Sequence, residues 1–87
     1  IFNASGCRVQ VEKMLATGRI DLVVTTIHYI YVIELKLSQN GGISAAEKQI
    51  IANNYLEPFK ADKRKVVGLT IELDDLGKGL LDWKVVG

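Results

Sequence analysis

Asp21 and the triplet Glu34-Leu35-Lys36 lie thirteen residues apart and are the side chains best suited to do chemistry in this chain. Two carboxylates brought together on neighbouring strands can share a divalent cation with waters and a phosphate. An ammonium group beside them can orient a water or stabilise charge on that phosphate. The run Tyr29 to Leu37 carries Glu34 and Lys36 and reads as the strongest strand in the sequence. One of its faces is apolar, with Tyr29, Tyr31, Ile33, Leu35 and Leu37. The other reads Ile30, Val32, Glu34, Lys36, so two charges close an otherwise apolar face. Burying either charge without a partner is costly, and a reason for them must be sought.

The preceding β-branched run, Ile20 to Thr26, offers the partner. If the two runs form a hairpin centred between Ile27 and His28, paired residues sum to 55 and Asp21 faces Glu34. Loops of two or four residues keep that register and a loop of three breaks it. Ile27-His28 is not a favoured two-residue turn, so the pairing is conditional. Granted the register, two like charges face each other and need neutralising, which a cation such as Mg²⁺ does with one or two carboxylates, waters and a substrate phosphate.

The rest of the chain alternates short elements. Val9, Val11 and Leu15 suggest a first strand, with Gln10 and Glu12 on its opposite face, and Thr17-Gly18 a turn after it. Asn40-Gly41-Gly42 breaks the strong strand. A helix follows, with Ser44 and Glu47 spaced as a capping box. Ala45, Gln49, Ala52, Leu56 and Phe59 fall on one helical stripe, flanked by Ile51 and Tyr55, and Pro58 marks its end region. Gln49 is the one polar residue on that stripe. Val66 to Leu73 and Leu80 to Val86 read as two further strands, separated by a turn over Asp74 to Gly79. Three strands with short turns favour an antiparallel meander, and the helix then serves as a crossover that brings the fourth strand in parallel. The fold class expected is α/β, with a mixed sheet covered by helix on at least one face.

Other residues admit plainer readings. His28 has no second His or Cys beside it and reads as a solvated turn residue, not a zinc ligand. Cys7 reads as a small buried apolar side chain. The basic run Lys60 to Lys65, with Lys63, Arg64 and Lys65 at its end, either tracks a nucleic-acid backbone or is a solvated loop. Arg19 either contacts a phosphate or pairs with a surface acid.

Eighty-seven residues make one small domain with a thin core, spanning 1–87. A net charge of +1 gives composition no case for nucleic-acid binding by itself, and one cysteine excludes a disulfide framework. The longest apolar runs fall well short of the ~20 residues of a membrane helix. A cytoplasmic location is the default. The chain opens on Ile1 without methionine and closes just after a strand, so it reads as a fragment of a longer protein.

Gly18-Arg19-Ile20-Asp21 followed by Glu34-Leu35-Lys36 resembles the PD-(D/E)XK nuclease superfamily. With the Gln49 helix, Tyr55 and the closing Trp83-Lys84, the chain is similar, over about residues 8 to 86, to a bacterial subgroup whose nuclease-like domain follows an AAA-ATPase-like domain. The resemblance implies a restriction-endonuclease-like sheet and metal-dependent cleavage of a phosphodiester, in DNA before RNA, with Mg²⁺ or Mn²⁺ as cofactor. It implies Asp21 and Glu34 as metal ligands, with Glu12 as a further acid, although in relatives that acid often lies on the helix before the first strand. It assigns Lys36 to the attacking water or the phosphate and Gln49 to a supporting place in the site. Beside the resemblance, Arg19, Lys63, Arg64 and Lys65 stand as the candidate nucleic-acid contacts on their charge alone. The family's N-terminal core helix is largely missing here, which leaves three expectations beside the enzyme: an inactive nuclease-fold module that binds nucleic acid or assembles, a partner ATPase-like domain upstream, and a homodimer.

Overall fold

Alternation of β-branched and aromatic residues sets five strands around one helix. A computed structural model of the chain describes residues 6–15, 18–76 and 78–86. The order is β1 (Arg8–Leu15), β2 (Gly18–Thr25), β3 (Tyr29–Leu37), α1 (Gly42–Ala52), β4 (Lys65–Leu73) and β5 (Leu80–Val86). The strands form a single sheet in the order β1-β2-β3-β4-β5. β1, β2 and β3 make the expected antiparallel meander, α1 crosses over, β4 lies parallel to β3, and β5 returns antiparallel to β4. The β3 and β5 runs fall where the sequence puts them, and β4 begins one residue earlier.

The β2–β3 hairpin takes the register in which partners sum to 55, from Leu22 opposite Ile33 to Thr25 opposite Ile30. Ile27 and His28 form its loop. Neither has the positive φ that two-residue hairpin turns favour. Thr26 closes the turn instead: its N–H donates to the Tyr29 carbonyl at 2.8 Å, and its hydroxyl accepts from the Tyr29 N–H at 3.0 Å. A threonine hydroxyl substitutes here for a ladder carbonyl.

The core lies between the sheet and α1. Ile20, Val23, Ile30, Val32, Ile50, Tyr55 and Val86 are buried together, with Leu15, Leu56, Phe59 and Val66 packed around them. The helix enters this core through Gly42, Ala46 and Ile50, one position out of phase with the stripe read from the sequence. Gln49 and Ala45 sit at its edge, and Ala52 is exposed. The phase differs because α1 starts at Gly42 and ends at Ala52, well before Pro58. Asn54, at φ 50°, reverses the chain there, and Pro58 falls at the start of a separate 3₁₀ turn, Glu57–Phe59, where its missing N–H costs nothing.

The capping box is likewise not used. The N-cap is Gly41, and Ser44 lies inside the first turn. A carboxylate from another strand caps the helix: Glu72 of β4 accepts from the Ile43 N–H at 3.1 Å and from the Ser38 hydroxyl at 2.9 Å. That places negative charge at the positive end of the helix. Asp75 adds a second tie by accepting from the Gln39 N–H at 2.7 Å. Lys84 of β5 pairs with Glu47 of α1 at 3.1 Å.

The other face of the sheet carries Val11, Tyr31, Ile33, Leu69, Ile71, Trp83 and Val85. Among the described residues no helix covers it, and Trp83 is 58% exposed. Residues 1–5, ahead of β1, lie outside the described residues, as does Thr17 of the expected β1–β2 turn.

Candidate active site

Both strand ladders of β2 change where Asp21 stands. On the β1 side, pairs run from Arg8–Thr25 to Val11–Leu22, skip Glu12 and Asp21, and resume at Lys13–Ile20. Glu12 has φ 56°, a left-handed backbone inside a strand. The irregularity turns the hairpin over: Ile20 and Val23, three residues apart, both enter the same core, which strict alternation forbids. On the β3 side, pairing ends at Leu22–Ile33.

Side chains take over from the ladder at this point. The Asp21 N–H donates to Glu34 Oε1 at 3.2 Å. The Leu35 N–H donates to Asp21 Oδ2 at 3.0 Å. Each carboxylate takes one hydrogen bond from the opposite strand's backbone, so each is held in place.

Glu34 is fully buried, and its Oε2 has no hydrogen-bond partner. Its neighbour across β4 is Thr70, also fully buried, but the Thr70 hydroxyl donates to the Lys84 carbonyl at 3.2 Å and offers Glu34 nothing. Burial, and then the charge of Asp21, push the Glu34 carboxyl up to about 7; the hydrogen bond from the Asp21 backbone and the charge of Lys36 pull the other way. A carboxylate pair of this kind accepts either a proton or a cation. Among the described residues no group of three or more His, Cys, Asp or Glu side chains gathers. The chemistry of the donor set, two carboxylates with Glu34 Oε2 unpartnered, fits a hard cation that completes its shell with waters or phosphate. Asp21 and Glu34 are the residues that would hold it.

An open cleft of about 810 Å³ lies over the pair. Lys36 lines it from β3, Gln49 from α1, and Gly18 and Arg19 from the β1–β2 hairpin. Asp21, Glu34, Lys36, Gln49 and Arg19 are thus brought together from three elements. Glu12 is not among the cleft residues: its side chain is exposed and meets Arg19 at 3.8 Å. The left-handed backbone at Glu12 coincides with the break in the pairing that would hold Asp21 to β1. Lys63, Arg64 and Lys65 lie elsewhere. Lys65 pairs with Tyr29 at the far end of β3 from Lys36, and Arg64 is tied to Asp62 at 3.1 Å.

Two features escape the sequence reading. Tyr55 is 1% exposed, and its Oη accepts from Gln49 Nε2 at 3.2 Å and Asn53 Nδ2 at 3.1 Å. Glu72 carries the remote helix cap. The sequence marks Tyr55 as a flank of the helical stripe and as part of the resemblance, but gives no sign that its hydroxyl meets Gln49. Nothing local marks Glu72.

A mixed five-stranded sheet with one crossover helix and a carboxylate pair on its adjacent strands β2 and β3 defines a restriction-endonuclease-like core. The chain belongs to the PD-(D/E)XK nuclease superfamily, whose family model matches residues 1–81. Neither a curated protein nor a solved structure gives a significant match. Members of the superfamily generally hydrolyse phosphodiester bonds, typically with divalent metals. No helix among the described residues is long and apolar enough to cross a membrane.

Proposed function

We propose that this domain is a Mg²⁺- or Mn²⁺-dependent nuclease that hydrolyses phosphodiester bonds, in DNA before RNA. The observation that carries the reading is the orphaned Oε2 of a fully buried Glu34 set against Asp21. A buried acceptor with no donor is destabilising in a structural site and useful in a binding one. Asp21 and Glu34 would hold a divalent cation, which would neutralise the pair and draw charge from the phosphate. The chain's own residues do the rest. Asp21 and Glu34 fix the floor of the cleft through their backbone hydrogen bonds. Lys36, two residues beyond Glu34, supplies a positive charge for the attacking water or for the phosphate as a P–O bond to water forms and the ester P–O bond breaks. Arg19 at the rim is suited to a flanking phosphate. Lys63, Arg64 and Lys65 are candidate contacts farther along the backbone.

The test is calorimetry with Mn²⁺ on the wild type and on Glu34→Gln, followed by cleavage of labelled duplex and single-stranded DNA and RNA. The reading expects Mn²⁺ binding that Glu34→Gln removes, and cleavage that Lys36→Ala removes. A folded wild type that neither binds Mn²⁺ nor cuts would make the chain a non-catalytic nuclease-fold module. An upstream AAA-ATPase-like domain remains part of the proposal on the resemblance alone. Pairing with a second copy is supported by the open apolar face around Trp83 and Val85.

A further inference from the structure

We propose that Tyr55 is a positioning residue that orients the amide of Gln49 in the cleft, holding its NH₂ end on the protein and leaving its carbonyl oxygen to the reacting groups. The inference rests on the nuclease reading above for its catalytic consequence, but the hold itself is a matter of geometry. Gln49 lines the cleft from the edge of α1. A free glutamine there samples several rotamers, and a site needs one. The Tyr55 hydroxyl supplies the restraint. It is buried, and it accepts from both Gln49 Nε2 and Asn53 Nδ2. A phenol oxygen has two lone pairs, so the two amides fill it. The Gln49 NH₂ is thereby committed inward, and among the described residues its Oε1 accepts no hydrogen bond.

The chain is shaped to put the phenol there. Asn54, at φ 50°, turns the backbone back beneath the last turn of α1. The Tyr55 N–H then donates to the Ile50 carbonyl at 3.1 Å, which anchors the ring under the helix. From the other side, the β1–β2 hairpin closes over the hydroxyl at Gly18, where a Cβ would stand 2.6 Å from Oη. Only a residue without a side chain lets the hairpin come that close, and the same hairpin delivers Arg19 and Asp21 to the cleft. The phenol therefore sits at the junction of the two elements that flank the carboxylates, and it fixes the amide of the one with respect to the other.

The experiment follows the Gln49 side-chain amide by NMR in ¹⁵N-labelled protein, with the signal assigned by its loss in Gln49→Ala. In the wild type its protons should exchange with solvent at least about ten-fold more slowly than those of the exposed Gln39. In Tyr55→Phe, which keeps the ring and removes only the hydroxyl, the protection should vanish. Exchange as fast as Gln39 in the folded wild type overturns the inference without recourse to any variant, and so does protection that survives in Tyr55→Phe. In cleavage assays Tyr55→Phe should lower kcat about ten-fold with KM unchanged, and should add no further loss in a Gln49→Ala background. An unchanged kcat overturns the positioning role. A wild type that cuts nothing sinks the nuclease reading, while the amide exchange still decides whether Tyr55 holds Gln49.

Discussion

The main-chain N–H of Asp21 donates to the carboxylate of Glu34 across 3.2 Å, and this contact couples the architecture of the sheet to its chemistry. Asp21 is free to make it because the β1 ladder skips the pair at Glu12. Glu34 is free to receive it because the β2–β3 pairing stops one residue short. Two interruptions at one level convert a sheet interior into a site. Each removes a regular hydrogen bond, and the carboxylates supply replacements. The result is a pair of acids held by the backbone, with Glu34 Oε2 left without a partner.

The first prediction concerns pH. Glu34 has a carboxyl raised from 4.5 to about 7 by burial and by Asp21. A carboxyl raised in the folded state binds more protons folded than unfolded between those values, so stability falls as pH rises. The contribution is fully present below pH 4.5 and is lost by the time the pH has passed 7. Its upper size is about 3 kcal/mol. Metal-free protein should therefore melt at a lower temperature at pH 8 than at pH 5. Glu34→Gln should flatten that dependence, and Mn²⁺ at pH 8 should restore wild-type melting by binding the folded pair. A melting curve indifferent to pH would mean that Glu34 is not the buried acid described.

The second concerns Lys36. Its charge pulls the Glu34 carboxyl down, so Lys36→Ala should move the midpoint of the pH-dependent melting upward. The same variant should lower kcat by roughly 10²- to 10³-fold if the ammonium acts on developing charge. Circular dichroism should show the fold retained. Equal cutting by wild type and variant would assign any observed cleavage to a contaminant.

How much of this is legible in the sequence differs from residue to residue. That Asp21 faces Glu34 is legible only conditionally: the β-branched runs on either side of Ile27-His28 give the register if the loop has two or four residues, and the structure takes that register up to Leu22–Ile33. The turn that permits it is not, because a threonine hydroxyl does the work usually left to glycine or asparagine. The helix is legible as an element, and its phase is not. Ala45 and Gln49 match a 3.6-residue stripe as well as Ala46 and Ile50 do, and only packing against Val32 and Val86 separates them. The bend at Glu12 leaves no local signature at all: a glutamate carries no sign that the strand around it must flip faces.

The third prediction tests the remote cap. Glu72 holds the Ile43 N–H and the Ser38 hydroxyl. Glu72→Ala removes a helix cap and a charge at the helix N-terminus, which together cost about 1–2 kcal/mol. For a domain of this size that lowers the melting temperature by roughly 4–16 °C. Gly42→Ala should be worse, because Gly42 has φ 56° and a Cβ there overlaps the Glu72 carboxylate. Thermal melting of both variants checks the ranking. Gly42→Ala melting like the wild type would mean that Glu72 swings away at no cost and is not the cap.

The last prediction separates two cationic regions. Arg19 lines the cleft, whereas Lys65 pairs with Tyr29, seven residues along β3 from Lys36. At about 3.3 Å per residue the two regions are roughly 23 Å apart, a span that a bound nucleic acid can bridge but a single phosphate cannot. Each phosphate contact contributes about 0.9 to the slope of log affinity against log salt for duplex DNA. Arg19→Ala should therefore reduce the slope by about one and raise KM. Replacing Lys63 and Lys65 by alanine should reduce the slope by about two and leave kcat unchanged, because neither reaches the carboxylates. Arg64 should matter less than either lysine, since its guanidinium is already paired with Asp62 at 3.1 Å. Fluorescence anisotropy across a salt series reads all three. A slope unmoved by the double lysine variant would make the loop a solvated turn and confine nucleic-acid binding to the cleft side of the sheet, with Arg19 as its principal cation.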